Sequence, residues 1–195
     1  MKEDRQIWDE FKNDAESALS YIYHQNIDFL FCYGKKFTKN EDLILDMIQD
    51  LFYDLIRTRK NLGETDHIRL YLLKSFRRRL LRGLESQRKL VSLNSGFKQE
   101  PQIVFSVEEE LITDEEHSKR LKLIRQGLQE LNAQQREVIY YKYTLGYDYG
   151  QICEIMSITY DSARQLVSRA INSLKQYLSE NDIFMMLIFK RLTNL

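Results

Sequence analysis

Between Thr159 and Leu174 the side chains able to form directional hydrogen bonds fall on one side of a helical repeat. Tyr160, Asp161, Ser162, Arg164, Gln165, Ser168 and Arg169 are interleaved with Ala163, Leu166, Val167, Ala170 and Leu174, which take the other side. Arg and Gln make paired hydrogen bonds to base edges, and Ser contacts base or phosphate. The chemistry on offer is recognition, because a polar helix of this kind fits the major groove of DNA. An ordinary helical hairpin with a solvated outer face is the competing reading, and the surrounding sequence has to choose between them.

The elements that would position this helix are legible in its flanks. Asp148 with Gln151 reads as a capping box for a short helix whose apolar face is Ile152, Ile155 and Met156. The tight turn Ser157-Ile158-Thr159 buries one aliphatic side chain, and Thr159 caps the polar helix. The stretch from Gly146 to Ala170 is therefore a helix-turn-helix. Upstream, Leu121, Ile124, Leu128 and Leu131 form a helical stripe, and Asn132 with Gln135 caps a helix holding Val138, Ile139 and Tyr143.

A second set of functional side chains lies in the first half. From Asn40 to Arg59, Ile44, Ile48, Leu51, Phe52 and Leu55 share one face, and Asp46, Gln49, Asp50, Tyr53 and Asp54 occupy the other. By itself that acidic face reads as solvated. The next segment reverses the charge: Arg57, Arg59, Lys60, Arg69, Lys74, Arg77, Arg78, Arg79, Arg82, Arg88 and Lys89 stand against only Glu64, Asp66 and Glu85. Leu70, Leu73, Phe76, Leu80, Leu81 and Leu84 anchor that helix in a core, which leaves the arginines outside. Cations at this density repel one another unless a polyanion neutralises them, and a phosphate backbone is the usual one.

The remaining segments frame these sites. Trp8, Phe11, Ala15, Ala18, Leu19, Ile22, Tyr23, Ile27, Phe29, Leu30, Tyr33 and Phe37 form the core stripes of two helices, with a break expected near Asn26 and a turn from Gly34 to Asn40. Periodicity fails between Leu90 and Glu116, where the only proline, Pro101, precedes a run of acidic residues; this reads as an acidic linker. Asp182 to Leu195 is an apolar tail too short to cross a bilayer; packing as a last helix is its first reading, a docking surface for an inhibitory partner the second and a membrane-surface helix the third.

Seven Gly and one Pro in 195 residues, with abundant helix formers and no period-two runs, specify an all-α chain of two small helical domains joined by the linker. Cys32 and Cys153 are far apart and share no ligand spacing with His24, His67 or His117, so neither a disulfide framework nor a metal site is expected. Cys32 reads as part of an aromatic helix face, and Cys153 as a small apolar residue between the motif helices. There is no nucleophile with a base and no Gly-rich phosphate loop, which argues against an enzyme, a cofactor or a small-molecule substrate. The N-terminus lacks the apolar core of a signal peptide, so a cytoplasmic protein is expected.

The ordered set of motifs resembles the bacterial sigma factors of the extracytoplasmic-function type, which keep regions two and four. Ile44 to Phe52, ILDMIQDLF, matches the region-two pattern A-E-D-L-V-Q-D-V-F at Asp46, Gln49, Asp50 and Phe52. Region four is matched by Leu131 with Arg136, Gly146 with Ile152, and Ile158-Thr159 with Ser162, Arg164, Arg169 and Ala170. The W-x-x-F-K pattern at Trp8 and the wealth of Tyr resemble the version found in Bacteroidetes. The chain departs from the family at Leu45 (usually Glu), Ile56 (Trp), Arg78 (Asn), Asn132 (Pro), Cys153 (Ala) and Ala163 (Val).

The resemblance implies region two over 1–89, the linker over 90–117, region four over 118–180 and the tail over 181–195. It implies that Asp46, Gln49, Asp50 and Tyr53 dock on the clamp coiled coil of core RNA polymerase. Arg69, Lys74, Arg77, Arg78 and Arg82 would hold the minus-10 strands, and the loop from Leu62 to Ile68 would receive an unstacked base. Tyr160, Asp161, Ser162, Arg164, Gln165, Ser168 and Arg169 would read the minus-35 element of promoter DNA. A membrane-anchored anti-sigma factor is the expected regulator. The rival readings are a dimeric helix-turn-helix regulator that works without polymerase, and a sigma-like interaction module without initiation activity.

Overall fold

The computed structural model describes residues 3–92, 103, 123 and 126–176, apart from the side chains of 88–92. The expected acidic linker, the apolar tail, Leu121, Ile124 and His117 lie outside the described residues. The chain divides into two compact units, Met1–Pro101 and Gln102–Leu195, and among the described residues every regular element is helical.

The first unit is a four-helix arrangement: α1 (Asp4–Lys12), α2 (Glu16–Lys35), α3 (Glu41–Thr58) and α4 (Ile68–Ser92), with a short 3-10 turn at Arg59–Asn61. Helices α2, α3 and α4 pack on one another, and α1 lies across α2 and α4. Trp8, Tyr33 and Phe76 are completely buried, with Ile22, Leu30, Ile44, Leu72, Leu73 and Leu80 around them. Their rings meet in tilted and edge-on pairs, Trp8 with Tyr71 at 4.9 Å and Tyr33 with Phe76 at 6.1 Å. Asn40 caps α3 by accepting from the Leu43 amide at 3.1 Å. Helices α2 and α3 touch at Gly34, where an added Cβ would lie 2.7 Å from Ile44 Cγ2, so only the smallest residue lets them approach this closely.

The break expected near Asn26 is absent: α2 runs unbroken through it, and the chain turns instead at Asn13–Ala15. Asn26 is buried, its Nδ2 donates to the Ile22 carbonyl at 2.8 Å, and its Oδ1 accepts from Arg69 Nε at 3.5 Å. With both ends of its amide occupied, the side chain has no reason to compete for the backbone. Cys32 is exposed.

In the second unit α5 (Ala133–Ile139) is followed by a π-type turn at Tyr140–Thr144, then α6 (Tyr149–Met156) and α7 (Tyr160–Lys175). Both expected capping boxes form: Asn132 with Gln135, and Asp148 with Gln151. The π turn shifts the helix register, so Tyr140 and Tyr141 are buried while Tyr143, expected in the core, is only half-buried. Tyr141 Oη donates to the buried Glu137 carboxylate at 2.7 Å, giving that acid a partner inside the unit.

Candidate nucleic-acid interface

Helix α7 owes its orientation to the turn before it. Ser157 takes the left-handed conformation, φ 57° and ψ 47°, and Ile158 N donates back to the Cys153 carbonyl at 3.3 Å. Thr159 Oγ1 then accepts from the Ser162 amide at 3.3 Å and starts α7. Ile158 is half-buried rather than fully buried as the sequence suggested. Ser157 is exposed and has no need of its side chain in a conformation that suits glycine. Ser157→Gly is therefore expected to stabilise the unit by about 0.5 kcal/mol, checked by chemical unfolding.

Ala163, Val167, Ala170 and Leu174 bury the inner side of α7 against α5 and α6, and the two alanines permit the close approach. Tyr160, Asp161, Ser162, Arg164, Gln165, Ser168 and Arg169 are all exposed. They are not equivalent. The Ser162 hydroxyl is tied to Thr159 Oγ1 at 2.8 Å, so its first task is the turn. Tyr160 stands edge-on to Tyr149 with centroids 5.5 Å apart, and Lys142 Nζ lies 4.7 Å from the centre of the Tyr149 ring. Arg169 reaches Gln165 Oε1 at 3.4 Å. Asn172, which sequence reasoning missed, is exposed one turn beyond Ser168 and continues the outer stripe of Asp161, Gln165, Ser168 and Arg169. Its four-residue spacing from Ser168 was the available signal.

In the first unit the basic residues divide. Arg57 and Arg79 donate to the two oxygens of Asp54, at 2.9 and 2.6 Å, and Arg59 pairs with Asp14. The hydrogen bonds from Arg79 and then Arg57 hold the Asp54 carboxyl below the usual carboxylate range, so the bridge survives acidification to below the ordinary carboxylate pKa. Arg69 is drawn back onto α2, where it reaches the Gln25 carbonyl at 3.3 Å and lies 5.1 Å from the centre of the Phe29 ring. The sequence expectation that the whole cluster requires an external polyanion is corrected accordingly: part of it is neutralised within the unit. Lys74, Arg78 and Arg82 recur every fourth residue along α4; Arg78 and Arg82 are exposed, while Lys74, like Arg77, is half-buried.

On α3, Asp46, Gln49, Asp50 and Tyr53 fall at i, i+3, i+4 and i+7 and are all exposed, Tyr53 at 67%. Asp54 leaves this group for α4. Leu45 and Ile56 join it, exposed at 43% and 37%, so the face is an apolar strip edged by carboxylates rather than a purely acidic one. Among the described residues no group of His, Cys, Asp and Glu could hold a metal ion, and no helix is long and apolar enough to cross a membrane.

Comparison with known proteins places this geometry. Residues 121–174 match the family described as Sigma-70, region 4. The chain is similar to CnrH in a structure with the cytosolic domain of CnrY, at TM-score 0.56 and 16% identity, covering 89% of this chain and 95% of that one. It is also similar to the sigma factor RpoE in a complex with the anti-sigma factor NepR from Bartonella quintana, at TM-score 0.58 and 18% identity, over 86% and 98%. A search of curated proteins gives no match. The α6–turn–α7 element thus lies within the segment that matches sigma-70 region 4, and the chain shares the helical fold of CnrH and of the sigma factor RpoE.

Proposed function

We propose that the chain is an initiation factor that binds core RNA polymerase, directs it to promoters and helps to separate the strands. The observation that carries this reading is α7: its inner stripe is buried and its outer one presents Asp161, Gln165, Ser168, Arg169 and Asn172 within a region-4 match. Such a helix reads the minus-35 element from the major groove, with Arg164 and Tyr160 on one flank. The α3 strip docks on polymerase, and the Lys74–Arg78–Arg82 row holds phosphates near the minus-10 element. Region two takes 1–89, the linker 90–117, region four 118–180 and the tail 181–195. The protein performs no bond chemistry; it supplies position and binding energy. The RpoE neighbour is in complex with an anti-sigma factor, and a partner of that kind is proposed for this chain as well.

Selection from random duplex DNA tests the reading, with the chain alone and with the chain bound to core polymerase. The complex should select a two-part, asymmetric site, whereas the chain alone enriches little. A palindromic site selected by the chain alone would point to the dimeric regulator instead.

The Lys74–Arg78–Arg82 row on α4 makes a separate prediction. Replacing Lys74, Arg78 and Arg82 together with Ala should lower the slope of log affinity against log salt by about two, taking about 0.7 per phosphate contact on a single strand. The measurement is a salt titration of single-stranded minus-10 DNA against the polymerase-bound chain.

A further inference from the structure

Helix α1 and the loop at 62–67 are far apart in sequence, yet three bonds join them. Trp8 Nε1 donates to the Gly63 carbonyl at 2.8 Å, Arg5 pairs with Glu64 at 3.0 Å, and Asp4 Oδ2 accepts from the Ile68 amide at 2.9 Å. Just before the loop, Arg59 pairs with Asp14 at the end of α1. The loop is thus tied at its entry, its centre and its exit. The central tie rests on the core of the unit: the Trp8 ring is fully buried, with Phe11 at 5.5 Å and Tyr71 at 4.9 Å. Meanwhile Gly63, Glu64, Asp66 and His67 stay exposed, and no atom comes within 4 Å of where a Gly63 Cβ would sit. A loop whose backbone is fixed from below while its upper side is open has lost conformational freedom without a contact of its own to show for it.

We infer that α1 presets this loop for a ligand, and that Trp8 is the positioning residue that holds it ready for an unstacked nucleotide of the separated strand. The inference rests on the initiation reading, which supplies the nucleotide. A free loop containing glycine would have to be ordered when the base arrives, and that cost would be taken from the melted state. With the Gly63 carbonyl held by the indole N–H and the first amide of α4 held by Asp4, the ordering is completed during folding.

Trp8→Phe keeps a buried ring and removes the hydrogen bond. In the full chain bound to core polymerase, this variant is expected to bind polymerase and minus-35 DNA as the wild type does. It should form about threefold to tenfold fewer open complexes on duplex promoter, the range of one lost hydrogen bond. A fluorescent adenine analogue in the non-template strand reads the opening. On a promoter with a pre-melted minus-10 bubble the affinity deficit should be of the same size, because the loop must still be ordered around the base, while binding to minus-35 duplex stays at the wild-type level, which a general structural lesion would not give. Asp4→Ala, at the half-buried start of α1, should show the same pattern more weakly and keeps the test alive if the Trp8 variant fails to fold. Wild-type opening by both variants, or a deficit that vanishes on the pre-melted template, would overturn the inference. A wild-type chain that binds polymerase but opens no promoter overturns the initiation reading, and the inference with it.

Discussion

Arg164→Ala/Arg169→Ala is expected to abolish promoter-specific transcription while leaving the fold intact. Both guanidiniums are exposed on α7, and neither carries a structural tie stronger than the 3.4 Å contact from Arg169 to Gln165. Exposed substitutions of this kind change stability by about 0.5 kcal/mol or less. At a base edge each Arg contributes about 1–3 kcal/mol of discrimination, so losing both lowers specific affinity about a hundredfold or more. Competition binding of the polymerase-bound chain against its selected site and a scrambled one checks this, with thermal melting as the control. Equal loss on both sequences would show that these residues hold phosphates and read no bases.

Gln49→Ala/Asp50→Ala is expected to remove polymerase binding by about tenfold to a hundredfold, and DNA binding by the isolated region-4 surface should not change. Both side chains are exposed in the middle of α3, and alanine is a better helix former than either, so the helix itself should hold. They sit beside the exposed Tyr53, Leu45 and Ile56, a mixed apolar and acidic composition suited to an interface that excludes water around a few polar anchors. Titration of labelled chain with core polymerase measures the loss. A double variant that binds polymerase like the wild type would move the docking surface elsewhere.

What could be read from the sequence was mostly local. The Asp148–Gln151, Asn132–Gln135 and Thr159 caps were legible because each involves residues three apart, where helix geometry leaves little choice. The buried stripes of α3, α4 and α7 followed in most positions from helical periodicity for the same reason, although Leu72, left out, is fully buried, and Leu81 and Leu166, included, are half-buried. The misreadings share a cause. Asn26 looks like a helix breaker until Arg69, forty-three residues on, takes its oxygen. The arginine cluster looks unneutralised until Asp14, from the turn after α1, and Asp54, from α3, come beside it. Trp8 looks like simple core, because nothing near it in the chain reveals Gly63 as its acceptor. The π turn at Tyr140–Thr144 moved the core from Tyr143 to Tyr141, a shift of register that periodicity assumes away.

The site itself was legible in outline and needed structure for its internal differences. All the residues assigned to α7 are exposed, but only the structure separates Ser162, held in the turn, from Asn172, exposed on the outer stripe. Likewise Lys74, Arg78 and Arg82 stand apart from Arg69 only once α2 is in place beside α4.

Run-off transcription tests the central claim most directly. The purified chain is combined with core RNA polymerase on templates carrying the selected site, beside the Gln49→Ala/Asp50→Ala and Arg164→Ala/Arg169→Ala variants. The account predicts a discrete transcript with the wild type and none with either double variant. Tight polymerase binding by the wild type with no transcript from any template would contradict it, leaving a sigma-like module that engages the enzyme without starting a chain.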